Sequence, residues 1–500
     1  MSCYLIGIGG TGAKCIEAAT HLSAAGLLPD NELYTLFVDP DESNGNLEQA
    51  KVTLDRHIKS QKMTLGSAPL FQTRVRRAKP SVWSPFGENS GSELQLRSSF
   101  SYSQMRAQDE EIAGLFDVLY SDDEKKADLA VGFRGHPSIG AAVMAQQLSL
   151  SETEPWTTFR RLVSNDAGTG DKARIFLCGS VFGGTGAAGL PTIGKLIRQE
   201  LKSGESDNFE IACGLVLPYF SFEGTPKDED IKAEAKSFVP NAQAALNYYW
   251  NKRHDDIFDG MYVVGDPAMS SVGDASVGGP TQENKPHFVE LLVALSAADF
   301  FETGTGAGQV ALMSRSEGGL EWSDLPYPRS SELRQKLSQL IHFSFAYLST
   351  YKPALDAIRS GERGSYAFPW YVDLVQQAGA RLQDDQVWKQ FENLETYAQR
   401  LLKWTAEIHE TASRTDISLF DCKAFSSRDP EGNEIELRDE REFRRRRFGV
   451  LDRPNSESET DELSNVWNRL SSASSPRDVG GAGSFIQALH EACNPDNFSS

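Results

Sequence analysis

The stretch FLCGSVFGGTGAAGLPTIGKLIR, residues 176–198, decides the fold. It starts as a buried strand, breaks at Gly179, and after Gly183-Gly184-Thr185-Gly186 resumes as a helix. A glycine-rich turn between an apolar strand and a helix brings bare backbone N–H groups to the positive end of the helix dipole, a ready site for phosphate. The chain repeats the construction near its start, where YLIGIGGTGAKCIEAA at 4–19 again reads strand, glycine-rich turn, helix. One such element says little, because any tight strand-to-helix turn recruits glycine. Two in one chain point to loops that face one ligand.

Composition sets the outer limits. At 500 residues, 39% hydrophobic and 24% charged, the chain is an ordinary globular mixture with length for two or three domains. Its apolar runs, such as LLVAL at 291–295, fall far short of the ~20 residues of a membrane span, and the first residues enter a strand without a charged leader, so a cytoplasmic protein is expected. The six cysteines show no CxxC pair or zinc spacing and read as reduced core thiols. A net charge of −20 argues against a nucleic-acid groove. REFRRRR at 441–447 is the exception; it reads as a solvated face or a partner for acidic surface.

Residues 1–280 alternate short apolar strands with helical segments, the signature of an α/β fold with a parallel sheet covered on both faces. Expected strands are Cys3–Ile8, Leu33–Val38, Leu129–Val131, Arg174–Leu177, Ile211–Leu217 and Gly260–Val264. Between 42 and 127 the pattern thins into polar, Ser-rich sequence, read as an insertion. Residues 281–304, apolar on almost every side, form a buried central helix. Residues 305–500 read as a mainly helical region with flexible Ser-rich links; Phe391, Leu394, Ala398, Leu401 and Ile408 make one helical stripe there.

The loops taken in order are more specific than any one of them. Gly7-Ile8-Gly9-Gly10-Thr11-Gly12 follows the first strand, VDPDESN with Asp39 and Asp41 the second, GFRGHPSIGAA the third, GSVFGGTGAAG the fourth and PYFSFEG the fifth. In an open α/β sheet all five lie at the carboxyl ends of the strands, where ligands bind. A dinucleotide-binding oxidoreductase uses only the first and leaves the 179–189 and 218–224 loops without a task.

The ordered set resembles the tubulin/FtsZ superfamily, over roughly residues 3–310, and is closest to its divergent bacterial tubulin-like members. The family's GGGTG(S/T)G signature is matched by Phe182-Gly183-Gly184-Thr185-Gly186-Ala187-Ala188-Gly189, with Phe182 in place of the first glycine. Its GAGANPEIG loop is matched by 132–140, and its PFxFEG loop by Pro218–Gly224. The resemblance implies a parallel-sheet nucleotide-binding domain with a long central helix, followed here by a divergent, mainly helical C-terminal region. The cofactors it implies are GTP or GDP, with Mg²⁺.

On that reading the backbone of Gly9, Gly10, Thr11 and Gly12 holds the α- and β-phosphates, and Gly183, Gly184, Thr185 and Gly186 cradle the β- and γ-phosphates. Thr11 and Thr185 serve equally as helix caps. Gly135 lies in the third loop, where Arg134 meets the γ-phosphate or sits exposed. Asp39 and Asp41 orient Mg²⁺ through water or simply form a turn at Asp39-Pro40. Glu223 accepts from the ribose hydroxyls, with Lys227 beside it or solvated. Asn284 and Phe288 are placed for edge and face contacts to the base, with core packing the other reading for Phe288. Asp299 and Glu302, spaced D-x-x-E, are the candidate catalytic acids that reach the nucleotide of the next subunit; otherwise they end the helix in solvent.

The function implied is a GTP-binding protein that self-associates head to tail into filaments and hydrolyses GTP at subunit junctions. The alternative is a non-hydrolysing scaffold or sensor in a multi-component bacterial system such as defence or partitioning. In either case the helical C-terminal region is open to a protein partner, and neither a nucleic acid nor a membrane span is expected.

Overall fold

The computed structural model describes residues 2–30, 32–64, 70–87, 94–129, 132–133, 135–149, 152–170, 172–203, 208–223, 237–251, 257–274, 279, 282, 284–305, 308–314, 322, 325, 330–413, 419–420, 463–473 and 481–494. Its strands are β1 (Cys3–Ile8), β2 (Glu32–Val38), β3 (Arg74–Trp83), β4 (Ala173–Ser180), β5 (Phe209–Val216), β6 (Phe220–Glu223), β7 (Gly260–Val264), β8 (Ser270–Asp274) and β9 (Gln309–Met313). The helices of the first 310 residues are α1 (Gly9–Ala24), α2 (Gly45–Thr64), α3 (Leu96–Ser99), α4 (Tyr102–Gln108), α5 (Glu110–Leu119), α6 (Asp122–Lys126), α7 (Pro137–Gln147), α8 (Trp156–Gly168), α9 (Gly184–Ser203), α10 (Phe238–Asn251) and α11 (Phe288–Thr303). The C-terminal region adds α12 (Ser330–Ala346), α13 (Lys352–Ser360), α14 (Pro369–Tyr371), α15 (Asp385–Ser413), α16 (Leu463–Ser472) and α17 (Ala482–Ala492).

Seven strands form one wholly parallel sheet in the order β3-β2-β1-β4-β5-β7-β9, and β6 pairs with β8 in a separate parallel ribbon. The central strands are buried throughout, which is why they read as unbroken apolar runs rather than alternations. From β1 the chain steps outward to β2 and β3, whereas from β4 it steps the other way. Right-handed crossovers therefore put the first helices and α9 on opposite faces and open a crevice between β1 and β4.

Two expectations need correction. The first half of the expected 42–127 insertion belongs to the main domain: α2 packs along α1, and β3 hydrogen-bonds to β2 as an edge strand of the main sheet, which among the described elements leaves only the short helices α3–α6 outside it. RVRRAKPSVW hid because an edge strand turns one side to water, and Arg74, Arg76, Arg77 and Lys79 are exposed there. The expected strand at 129–131 is not one at Leu129; residues 130 and 131 lie outside the described residues. The central helix is buried as expected along nearly all of α11, and the chain then returns to the sheet as β9.

The C-terminal helices lie on the α1–α2 layer, with α15 along α2. The stripe Phe391, Leu394, Ala398, Leu401 and Ile408 is buried there. Tyr397 on the same helix seals two histidines: its hydroxyl lies 3.1 Å from His21 Nδ1, and its ring is 6.0 Å from that of His57. Burial pushes His57 down to about 3 from an ordinary 6.5. His21 also falls well below its usual value, by burial first and then by Arg400 and His57. His490 is held down to about 4 by burial.

The unfolded chain therefore binds more protons at these histidines below pH 6.5, and the stability they contribute is full above that value and lost as the pH falls towards 3. Asp39, pushed up to about 8, works in the opposite sense and offsets one of the three. A net loss on the order of 1–3 kcal/mol per pH unit is expected near pH 5. Urea midpoints at pH 7 and pH 5 check it, and replacing His57 with Gln should flatten the slope by one proton. Equal midpoints would contradict the assignment.

Candidate functional site

Strand β1 ends at Ile8 and α1 begins at Gly9, with no side chain capping its first turn. The N–H groups of that turn are left for an outside acceptor. Parallel register sets Ile8 against Gly179 on β4, so the turn that opens α9 rises beside the one that opens α1. The two touch. Gly9 adopts φ +74°, and a β-carbon there would stand 3.3 Å from Thr185 Cβ and 3.4 Å from Gly186 N. The third loop closes on the fourth: a β-carbon on Gly184 would meet Gly135 N at 2.9 Å and the Phe133 carbonyl carbon at 3.1 Å. Gly9, Gly10, Thr11, Gly12, Gly135, Gly183, Gly184, Thr185 and Gly186 thus converge at the crevice between β1 and β4. The Thr11 side chain lies beside Tyr219 and does not cap its helix.

These contacts divide the glycines by task. Gly12 carries no side chain because its Cα lies against the Cys178 carbonyl oxygen, 2.6 Å from where a β-carbon would sit. Gly183 faces open space apart from Ser180 Oγ at 3.0 Å, a hydroxyl that can rotate away. Gly183→Ala should therefore keep the fold and weaken triphosphate binding about 10- to 100-fold by putting a methyl group among the donors. Gly184→Ala should also lower stability, because its methyl group meets backbone. Titration with a fluorescent nucleotide beside a urea melt separates the two variants; unchanged affinity in Gly183→Ala counts against a phosphate site here.

The loop after β2 forms the next rim. Asp39 is buried, and that burial pushes its carboxyl up to about 8, against the hydrogen bond it accepts from Asp41 N. Asp41 is spent on structure: Oδ1 accepts from Ser43 N and Oγ, and Oδ2 accepts from Gly279 N at 2.7 Å. Among the described residues no group of three His, Cys, Asp or Glu side chains could hold a metal ion. Asn44 and Asn46 carry the rim across to the segment before α11, through Asn44 Nδ2 donating to Gln282 Oε1 and Asn284 N donating to Asn46 Oδ1 at 2.8 Å.

Beside this rim lies a cavity of about 270 Å³. Lys14 and Glu17 of α1, Asn46 and Gln49 of α2, and Asn284, Lys285 and Pro286 line three sides; Arg400, Lys403, Trp404 and Glu407 of α15 line the fourth. Asn46 belongs to both places, since its Nδ2 is 3.2 Å from a β-carbon built on Gly10. The lining mixes ammonium donors, amides and carboxylates over a volume that takes one heterocyclic base. Phe288 is absent from it: its ring is fully buried against His287, with centroids 4.5 Å apart. Lys14 and Glu17 carried a readable signal, two charges one turn apart in an otherwise apolar helix. Asn46 and Arg400 carried none, because only tertiary packing brings them here.

A buried charge network braces the site. Lys14 pairs with Glu290 of α11 and donates to the Lys285 carbonyl at 2.8 Å. Glu290 also accepts from Tyr219 Oη and, at 2.8 Å, from His287 N, completing the capping box of α11.

The candidate acids lie elsewhere. α11 runs from Lys14 down to the beginnings of β4 and β5, where Arg174 donates to the Phe301 carbonyl at 2.6 Å and Gly304 abuts Glu210. Asp299 and Glu302 are therefore at the pole opposite the glycine loops. Tyr262 Oη donates to Asp299 at 3.2 Å, and burial, opposed by that hydrogen bond and aided by Glu302, raises the Asp299 carboxyl above its usual range. Glu302 is exposed. Arg134 and Lys227 lie outside the described residues; Glu223 ends β6 opposite Asp274.

No family model matches the sequence, and no curated protein matches it. Among solved structures, the chain is similar to CetZ from Methanosaeta thermophila at 15% identity and a TM-score of 0.22, over 53% of this chain and 46% of that one. The chain thus spans about half the length of the structure it matches.

Proposed function

We propose that this chain is a nucleotide-binding protein of tubulin type, holding a guanosine triphosphate by the glycine loops with its base in the adjoining cavity. The observation that carries the reading is the meeting of two uncapped or open glycine turns, Gly9–Gly12 and Gly183–Gly186, at the switch point of a parallel sheet. Guanine suits the lining: the one N–H of Lys14 that Glu290 and the Lys285 carbonyl leave over can donate to its O6 or N7, and Glu17 or the amides of Asn46 and Asn284 can accept from its N1–H and amino group. Adenine offers no acceptor at position 6. Mg²⁺ would arrive with the phosphates, and Asp39 would face it through water while Asp41 holds the loop in shape.

The opposite placement of the acids supports head-to-tail self-association, in which Asp299 and Glu302 of one copy meet the triphosphate of the next and hydrolysis follows assembly. A contact of unlike ends that does not close gives a filament. The test is competition binding with GTP and ATP, together with electron microscopy and phosphate release at rising protein concentration. Preference for GTP, filaments and concentration-dependent turnover support it in full. Binding without turnover selects the scaffold, and no nucleotide binding overturns the reading.

A further inference from the structure

We propose that helix α15 is a wall of the nucleotide site, and that Lys403 is the side chain through which the C-terminal region touches the bound nucleoside. The inference rests on reading the glycine loops as a phosphate site. It assigns part of the helical region to the ligand, where the sequence suggested only a surface for protein partners.

Three observations converge on it. First, α15 is locked to the helices that carry the loops: Arg400 Nε donates to Thr53 Oγ1 at 2.6 Å, and its terminal nitrogen donates to the Gln49 carbonyl at 2.6 Å and to Glu17 Oε1 at 3.3 Å. Second, the same helix grips the segment that enters α11, through Lys285 on Glu410 at 2.7 Å and Thr411 Oγ1 on the Pro286 carbonyl at 3.1 Å. Third, the cavity between these attachments shares Asn46 with the Gly10 turn, and among the described residues α15 supplies four of its lining side chains.

Within that wall the side chains differ in what they are free to do. Arg400 is committed to α1 and α2, and Trp404 is buried with its ring 4.8 Å from His21. Lys403 is 57% exposed, and its ion pair with Glu407 is long at 3.8 Å. A flexible ammonium at the mouth of a base cavity can swing to the purine or ribose acceptors of an occupant at little cost to the fold. The site is complete only with α15 docked, so nucleotide affinity and docking are linked, and each must strengthen the other by the same factor.

The test uses the purified full chain with two probes, GTP and inorganic tripolyphosphate; the second reaches the glycine loops but has nothing to place in the cavity. Lys403→Gln should weaken GTP about tenfold, the loss of one charge-assisted hydrogen bond, and leave tripolyphosphate affinity unchanged. Hydrogen exchange across 396–413 should slow with GTP and not with tripolyphosphate. Gly183→Ala should weaken both probes about 10- to 100-fold. Unchanged GTP affinity in Lys403→Gln overturns the role of α15 while the phosphate reading stands, and equal weakening of both probes overturns it too, as a general charge effect. If the wild-type chain binds neither probe, the phosphate reading fails and this inference falls with it.

Discussion

Replacing Lys14 with Met should lower the unfolding free energy by about 3–5 kcal/mol, the usual consequence of leaving one member of a buried ion pair alone. Lys14 and Glu290 are 5% and 1% exposed, so water cannot take over when the ammonium is removed. Glu290 would keep the Tyr219 hydroxyl and the His287 N–H, both suited to a carboxylate, but no countercharge from Lys14. The loss should be partly reversed by adding Glu290→Gln, which removes the stranded charge and keeps a carbonyl oxygen for the His287 N–H, while its amide nitrogen can donate to Tyr219 Oη. Urea denaturation of wild type, the two single variants and the double variant closes the cycle. If Lys14→Met costs under about 1 kcal/mol, the pair is not the brace between α1 and α11 that its geometry indicates. The brace matters for function because it fixes the first turn of α1, which would hold phosphate, to the helix whose far end carries Asp299 and Glu302.

Those two acids give the second large effect. In a head-to-tail assembly, Asp299→Ala with Glu302→Ala should reduce GTP turnover about 10²- to 10⁴-fold, the range for groups that orient or deprotonate an attacking water. Nucleotide affinity should stay near wild type, because both residues are a sheet's length from the glycine loops of their own chain. Wild-type turnover should rise with protein concentration, since no single chain holds loops and acids together. The raised Asp299 carboxyl adds a sign: turnover should increase with pH as that group ionises. Turnover that is independent of concentration and untouched by the substitutions would remove Asp299 and Glu302 from the mechanism. Wild-type binding without turnover at any concentration would leave the scaffold.

The sequence by itself determined the parallel core and the glycine turns that leave its strands. Strands such as Cys3–Ile8 and Gly260–Val264 are buried on both faces, so their apolar runs could be read without knowing their neighbours. The glycines were legible because a missing side chain is a local demand, whether for the positive φ of Gly9 or for the close approach of Gly12 to Cys178. Only the tertiary structure could decide the rest. β3 was obscured because its charged face looks outward from the sheet edge, and its partner β2 lies 42 positions earlier in the register of Glu32 with Arg74. The burial of Phe288 and the use of Asp41 on Gly279 depend on which atoms arrive from elsewhere in the chain. The cavity wall of Arg400 and Lys403 comes from a helix more than 380 residues beyond Lys14 and Glu17, with helical spacing that announced only an amphipathic stripe. Periodicity tells which face of a helix is buried; it carries no information about what that face will meet.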